Sequence, residues 1–199
     1  MQIYNYTLVH GGNKKKKRNH EIYRFKNDFD DIYLVEVFFY DYNVYAIKFF
    51  LKKHRFSNNR YNLVYPKTFA SKRGRKTGNF NFFKVLNTIS HISLEIVKRD
   101  PLASFGFLGA PKESELDNDI NAENINDDCT VANTKRYKVY HNYVSRYYDP
   151  NKFEYISSNT SSIMLLRNNK NSKVLTKEVA EKYIIEEIIP NLSSPENYY

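Results

Sequence analysis

The residue group with the most defined spacing is Asn133-Thr134-Lys135-Arg136-Tyr137-Lys138. A helix is predicted to begin at about Thr134, and the cations Lys135, Arg136 and Lys138 fall in its first turn. A helix start offers unpaired backbone N–H groups and partial positive charge. With Thr134, Lys135 and Arg136 beside them, those groups would suit a phosphate or carboxylate. The competing reading is structural: the cations answer the acidic stretch just before them, which includes Asp127 and Asp128.

Two further basic groups fit phosphate contact. Lys14, Lys15, Lys16, Lys17 and Arg18 form an unbroken run, and Lys72, Arg73, Arg75 and Lys76 surround Gly74. Adjacent like charges repel, so both groups read as loops. Such contacts give affinity without base specificity. Lys48, Lys52, Lys53, Arg55 and Arg60 lie in the same half, and Tyr or Phe exposed between them would stack on bases. Residues 1–100 hold 20 Lys and Arg against 8 Asp and Glu, whereas residues 101–199 hold 11 against 14. The excess of positive charge in the first half therefore points to an anionic partner.

Other chemistries are poorly supplied. One cysteine, Cys129, excludes a disulfide framework and a cysteine-built zinc site, and its acidic neighbours disfavour a thiolate. His10, His20, His54, His91 and His141 show no metal-ligand spacing and read as structural or surface groups. Asp117 to Asn121 opens like a calcium loop, but Ala122 occupies the glycine position and Asp128 the position of the bidentate glutamate. Asp31, Glu36 and Glu95 are the carboxylates one would nominate for a metal-dependent nuclease. No Gly-rich phosphate loop or nucleophile elbow accompanies them. The expectation is a binding protein without metal or cofactor.

The elements that must hold these groups follow from periodicity. After a short first segment, Ile3–Val9, the runs Glu21–Phe25, Asp31–Tyr40, Val44–His54 and Tyr61–Tyr65 read as strands, and the short turns between them predict an antiparallel meander. Asp31–Phe50 is apolar on both faces, which predicts a sheet covered at least partly on both sides. Phe82, Val85, Leu86, Ile89, Ile92 and Ile96 form one helical stripe that ends at Asp100-Pro101, after capping by Asn79 or Asn81. Residues 66–79 read as a flexible basic loop. Ser104–Ala110 reads as a buried strand whose glycines admit a close neighbour. A second helix is expected over Thr134–Tyr148, with Tyr137, Tyr140, Val144 and Tyr147 inward. Phe153–Ile156 and Ser162–Arg167 read as strands, and Thr176 caps a last helix towards Ile189.

Tyr (18) and Phe (14) carry the core without any Trp, so many half-buried tyrosines with hydroxyls near the surface are expected. The abundance of Lys, Asn and Ile fits an AT-rich coding bias. Met1–Gly12 does not read as a secretory signal, and no stretch approaches the length of a membrane span. The prediction is one soluble, cytoplasmic α+β domain over residues 1–192. It has a mostly antiparallel, curved sheet followed by helix-strand-helix-strand-helix, with a single layer of helices on the sheet. A flexible basic arm (11–19), an acidic loop (112–130) and a frayed tail (193–199) complete it.

The stretch Asn79–Asp100, the segment Ser104–Gly109 and the motif Asn133–Tyr140 together resemble small α+β proteins of uncharacterised function from Bacteroidota and their phages or mobile elements. The resemblance covers about half the chain. It implies a sheet before a helix, a Gly-containing strand, and a helix opening on Thr, basic residues and an aromatic. It carries no catalytic residue across. The leading expectation is a non-catalytic protein that meets a polyanion, foremost nucleic acid, through its basic half. A protein-interaction factor of phage or mobile-element origin and a metal-dependent nuclease are the alternatives.

Overall fold

The computed structural model describes residues 2–11, 20–57, 59–61, 63, 74–111, 115, 122–126, 131–158 and 161–188, with backbone alone for 74–80, 122, 158 and 188. Its strands are β1 (Tyr6–His10), β2 (His20–Lys26), β3 (Ile32–Phe39), β4 (Val44–Leu51), β5 (Ser104–Leu108), β6 (Phe153–Ser158) and β7 (Ile163–Asn168). Helix α1 (Gly74–Arg99) lies between β4 and β5, α2 (Lys135–Tyr147) between β5 and β6, and α3 (Lys177–Tyr183) after β7. A π turn, Ile184–Ile188, extends α3.

All seven strands join one sheet in the order β1-β2-β3-β4-β5-β7-β6. Neighbours run antiparallel except β4 and β5, which α1 connects in parallel. The protein is thus α+β with a mostly antiparallel open sheet, as the strand-and-turn pattern implies. Tyr61 and Leu63 belong to no strand, while the rest of the strand expected at 61–65 lies outside the described residues.

Alternation along the strands sorts side chains onto two faces. Tyr33, Val35 and Val37 of β3, Tyr45 and Ile47 of β4, and Met164 and Leu166 of β7 form the main core with α1 and α2. The stripe Phe82, Val85, Leu86, Ile89, Ile92 and Ile96 is wholly buried there. Burying these six side chains contributes on the order of 10 kcal/mol, as an upper bound.

Val44, Ile163 and Leu165 point the other way and pack with Leu175, Ala180 and Ile184 of the α3 region. The expectation of a single helical layer is corrected here. Both faces of β7 are apolar and buried, so each needs its own cover. Further along this second face, Ile22, Leu34 and Phe50 form a small cluster against Tyr61.

Two other expectations change. The backbone is already helical at Gly74, so Arg75 and Lys76 sit in the opening of α1 rather than in a loop. Residues 74–79 carry no apolar stripe to announce this, but extending an established helix costs little. Within the acidic stretch, Ala122–Asn124 form a 3-10 turn and Ile125 bridges to Val131, which is buried. Of that stretch Glu115 and Asn126 are also described; its other residues, the arm from 12 to 19 and the tail lie outside the described residues. Among the described residues, no helix is long and apolar enough to cross a membrane.

Candidate functional site

The apolar alternation of β4 stops at Leu51, and Lys52-Lys53-His54-Arg55 has nothing to bury. The chain turns there: Lys52–His54 is a 3-10 turn, and Arg55 N–H donates to the Lys52 carbonyl at 3.2 Å. Ser57 N–H donates to the His54 carbonyl, and Arg60 N–H to that of Ser57. These turns return Arg60 and Tyr61 to the second face of the sheet. Tyr61 meets Phe50 edge-on with centroids 5.5 Å apart, and the Arg60 guanidinium lies 5.0 Å from the Phe50 ring.

Beneath them is Glu36, 3% exposed, flanked in register by Ile22 and Lys48. A carboxylate this deep needs donors. Tyr61 Oη donates to Glu36 Oε2 at 2.6 Å, and Arg60 Nη2 stands 3.8 Å from the same oxygen. Arg60 Nη2 also donates to Tyr61 Oη at 2.9 Å. Burial, and then the neighbouring Glu36 charge, push the Tyr61 hydroxyl far above its ordinary range, so it remains a donor.

Cations and rings alternate around this centre. Lys48 Nζ is 4.9 Å from the Phe38 ring centroid and 5.1 Å from that of Tyr61. Arg55 covers Phe56 at 4.3 Å, while Phe56 itself is 78% exposed. On the strand side, His10 stacks on His20 at 5.4 Å and His20 on Phe38 at 5.5 Å. Arg24 is exposed on the same face, in register with Leu34.

Some cations of the described residues have carboxylate partners and others do not. Lys84 of α1 meets Asp28, and Lys98 meets Glu95. Arg99 grips Glu21 with two bonds of 2.7 and 2.8 Å. Tyr23 Oη adds a third donor to Glu21, at 2.5 Å. Burial alone would raise the Glu21 carboxyl, but the Arg99 and Tyr23 bonds outweigh it and hold it below the usual range. On the other face Lys53 meets Asp31 and Lys26 meets Asp30. Among the described residues, Arg24, Lys52 and Arg55 face no carboxylate.

The start of α2 is differently organised. Thr134 is its cap: Oγ1 accepts from Tyr137 N–H at 3.1 Å and donates to the Gly109 carbonyl at 2.6 Å. Thr134 N–H in turn donates to Ser162 Oγ, which sits in left-handed backbone at φ 51°. Arg136 is buried, and its Nη1 donates to the carbonyls of Tyr61 (2.8 Å) and Ala110 (3.2 Å). Lys135 N–H, the group an external anion would meet, donates to Glu115 Oε1 at 2.8 Å. The acidic stretch does answer this helix through Glu115, while Asp127 and Asp128 lie outside the described residues. Thr134 and Arg136 thus hold the fold together at this point, and the Lys135 side chain remains exposed.

The remaining nominated residues disperse. Lys14, Lys15, Lys16, Lys17, Arg18, Lys72 and Arg73 lie outside the described residues, as do Cys129 and the Asp117–Asn121 segment. Arg75 and Lys76 are placed by backbone only, at the far end of α1 from Arg99. Glu36 faces away from α1, Glu95 is paired on the surface of α1, and Asp31 is paired at the start of β3. Among the described residues, no group of three or more His, Cys, Asp or Glu could hold a metal. His91 Nδ1 bonds Tyr6 Oη at 2.8 Å, and His141 packs on Tyr137. Sequence pattern alone singles out no individual ring among these cations; the exposed one is Phe56, immediately after Lys52-Lys53-His54-Arg55.

No protein-family model matches the chain, and neither a curated protein nor a solved structure does so.

Proposed function

We propose that this protein binds a polyanion, foremost nucleic acid, through the second sheet face and the turn leaving β4. The observation behind this reading is the turn leaving β4, where Arg55 lies over the exposed Phe56 ring beside Lys52. Among the described residues, Arg24, Lys52 and Arg55 face no carboxylate, whereas Lys84, Lys98 and Arg99 of α1 each do. Uncompensated cations next to aromatic rings suit phosphates and bases together. The runs Lys14–Arg18 and Lys72–Lys76 belong to the same half and would add phosphate contacts. No catalytic step is assigned.

The test is a salt titration of binding to labelled oligonucleotides by fluorescence anisotropy. Affinity is expected to fall log-linearly with salt. Replacing Arg24, Lys52 and Arg55 together by alanine is expected to reduce the slope by about 2, given roughly 0.7 per phosphate contact on a single strand. No binding at about 50 mM salt, where this electrostatic term is strong, overturns the proposal.

A protein partner is the second reading, favoured by one surface feature. Phe83 of α1 (42% exposed) and Tyr147 of α2 (57% exposed) flank Tyr143, with centroid distances of 6.5 and 4.6 Å. Contiguous exposed aromatics of this kind are common in interface cores. Such a contact would survive high salt in a pull-down, and loss of capture in Tyr147→Ala would assign it to this patch.

A further inference from the structure

We infer that the ligand is single-stranded nucleic acid, one of whose bases stacks on Phe56. This rests on the polyanion reading above and adds the ligand class and the residue that selects it.

Phe56 is the most exposed large apolar side chain among the described residues. It is no loose surface ring, however. The turn Lys52–His54 fixes the chain before it, and the Ser57 N–H bond to the His54 carbonyl fixes the chain after it. The Arg55 guanidinium covers the ring at 4.3 Å and leaves most of its area open to solvent. A ring backed by a guanidinium is a platform for a second planar group, because both contacts use the π faces.

The surroundings select what that planar group is attached to. Among the described residues Arg55 and Lys52 face no carboxylate, so the ligand should carry negative charge within reach of the ring. Free nucleobases joined by phosphates meet both demands. Duplex bases do not, because their faces are already stacked on one another. Neighbouring cations behave differently: Arg60 lies over Phe50 and Tyr61, which belong to the small buried cluster, and Lys48 over Tyr61 and the half-buried Phe38, which His20 already stacks on. Phe56 is the ring of this set that points outward. An apolar pocket on a protein partner is the other possible occupant.

The full chain is titrated against a labelled oligothymidine of about 20 nucleotides and against a duplex of equal length, several times the span of one stacking site. Phe56→Ala is expected to weaken single-strand binding by about 5- to 100-fold, the range for loss of one base-aromatic stack, without changing the salt slope. Duplex binding should stay within about twofold, since it depends on phosphate contacts alone. Because the chain contains no Trp, Phe56→Trp supplies a single indole at this position. Its emission should be quenched by oligothymidine at wild-type affinity. Unchanged single-strand affinity in Phe56→Ala, or an unquenched indole in a bound complex, overturns the stacking inference and leaves the electrostatic reading standing. Failure of both nucleic acids to bind wild-type protein at low salt overturns both.

Discussion

Gly109 and Gly106 lie three residues apart, yet substituting alanine at each should have opposite consequences. A Cβ added at Gly109 would stand 2.5 Å from Tyr137 Cβ, 2.7 Å from Tyr137 Cα and 2.7 Å from Thr134 Oγ1. Two of these are atoms at the base of α2 and cannot swing away. Ordinary carbon contacts are about 3.5–4.0 Å, so α2 must retreat by about 1 Å or more. Overpacking of this kind costs about 1–3 kcal/mol. The retreat also stretches the 2.6 Å bond from Thr134 Oγ1 to the Gly109 carbonyl, for about 1 kcal/mol more. A loss of about 3 kcal/mol corresponds to a fall in Tm on the order of 10 °C for a chain of this size. At Gly106 the nearest atom to an added Cβ is the Tyr45 carbonyl oxygen at 4.0 Å, an ordinary contact. There alanine restricts the unfolded chain and is expected to be neutral or to stabilise by up to about 1 kcal/mol. Urea denaturation followed by circular dichroism measures both. If Gly109→Ala and Gly106→Ala agree within about 0.5 kcal/mol, the placement of α2 against β5 is wrong.

Two further perturbations probe the polar frame. Thr134→Ala removes the cap of α2 and should cost about 1–2 kcal/mol in the same assay, whereas Thr134→Ser, which keeps the acceptor oxygen, should recover most of it. Glu21 has a folded-state pKa held below its ordinary value of 4.5, so its stabilisation is present above that value and is lost as pH falls through the depressed one. Glu21→Gln should therefore be less stable than wild type at neutral pH. The gap should close in acid, and a gap that stays constant with pH would refute the assignment.

Local chemistry made part of this structure legible. The six-residue stripe of α1 is buried as its spacing requires, and Thr134 and Thr176 cap the two helices they precede. The glycines near β5 marked a close approach, although only Gly109 has one. Non-local choices were hidden. Nothing in the chain indicates that β4 takes β5 as its parallel neighbour, since that pairing depends on where α1 lands. In α2, Tyr143 is buried and Tyr147 exposed, because Tyr148 turns inward at the helix end and takes the place expected for Tyr147. A charge does not announce its partner either. Arg136 reads as an anion ligand but caps carbonyls, and Glu36 is buried under a tyrosine and an arginine that arrive from a turn.

The parallel β4–β5 pairing has a consequence for how the chain assembles. Phe39 and Tyr45 meet across a short hairpin, whereas Val44 meets Ser104 over a tenfold longer span. Closing the longer span costs about 2 kcal/mol more in chain entropy before its contacts repay it. The β1–β4 meander and the β6–β7 hairpin are thus the fast local units. Joining β5 to β4 and, over an equally long span, to β7 is by the same reasoning the slower step that makes one cooperative body of them, and α1 packs across both halves.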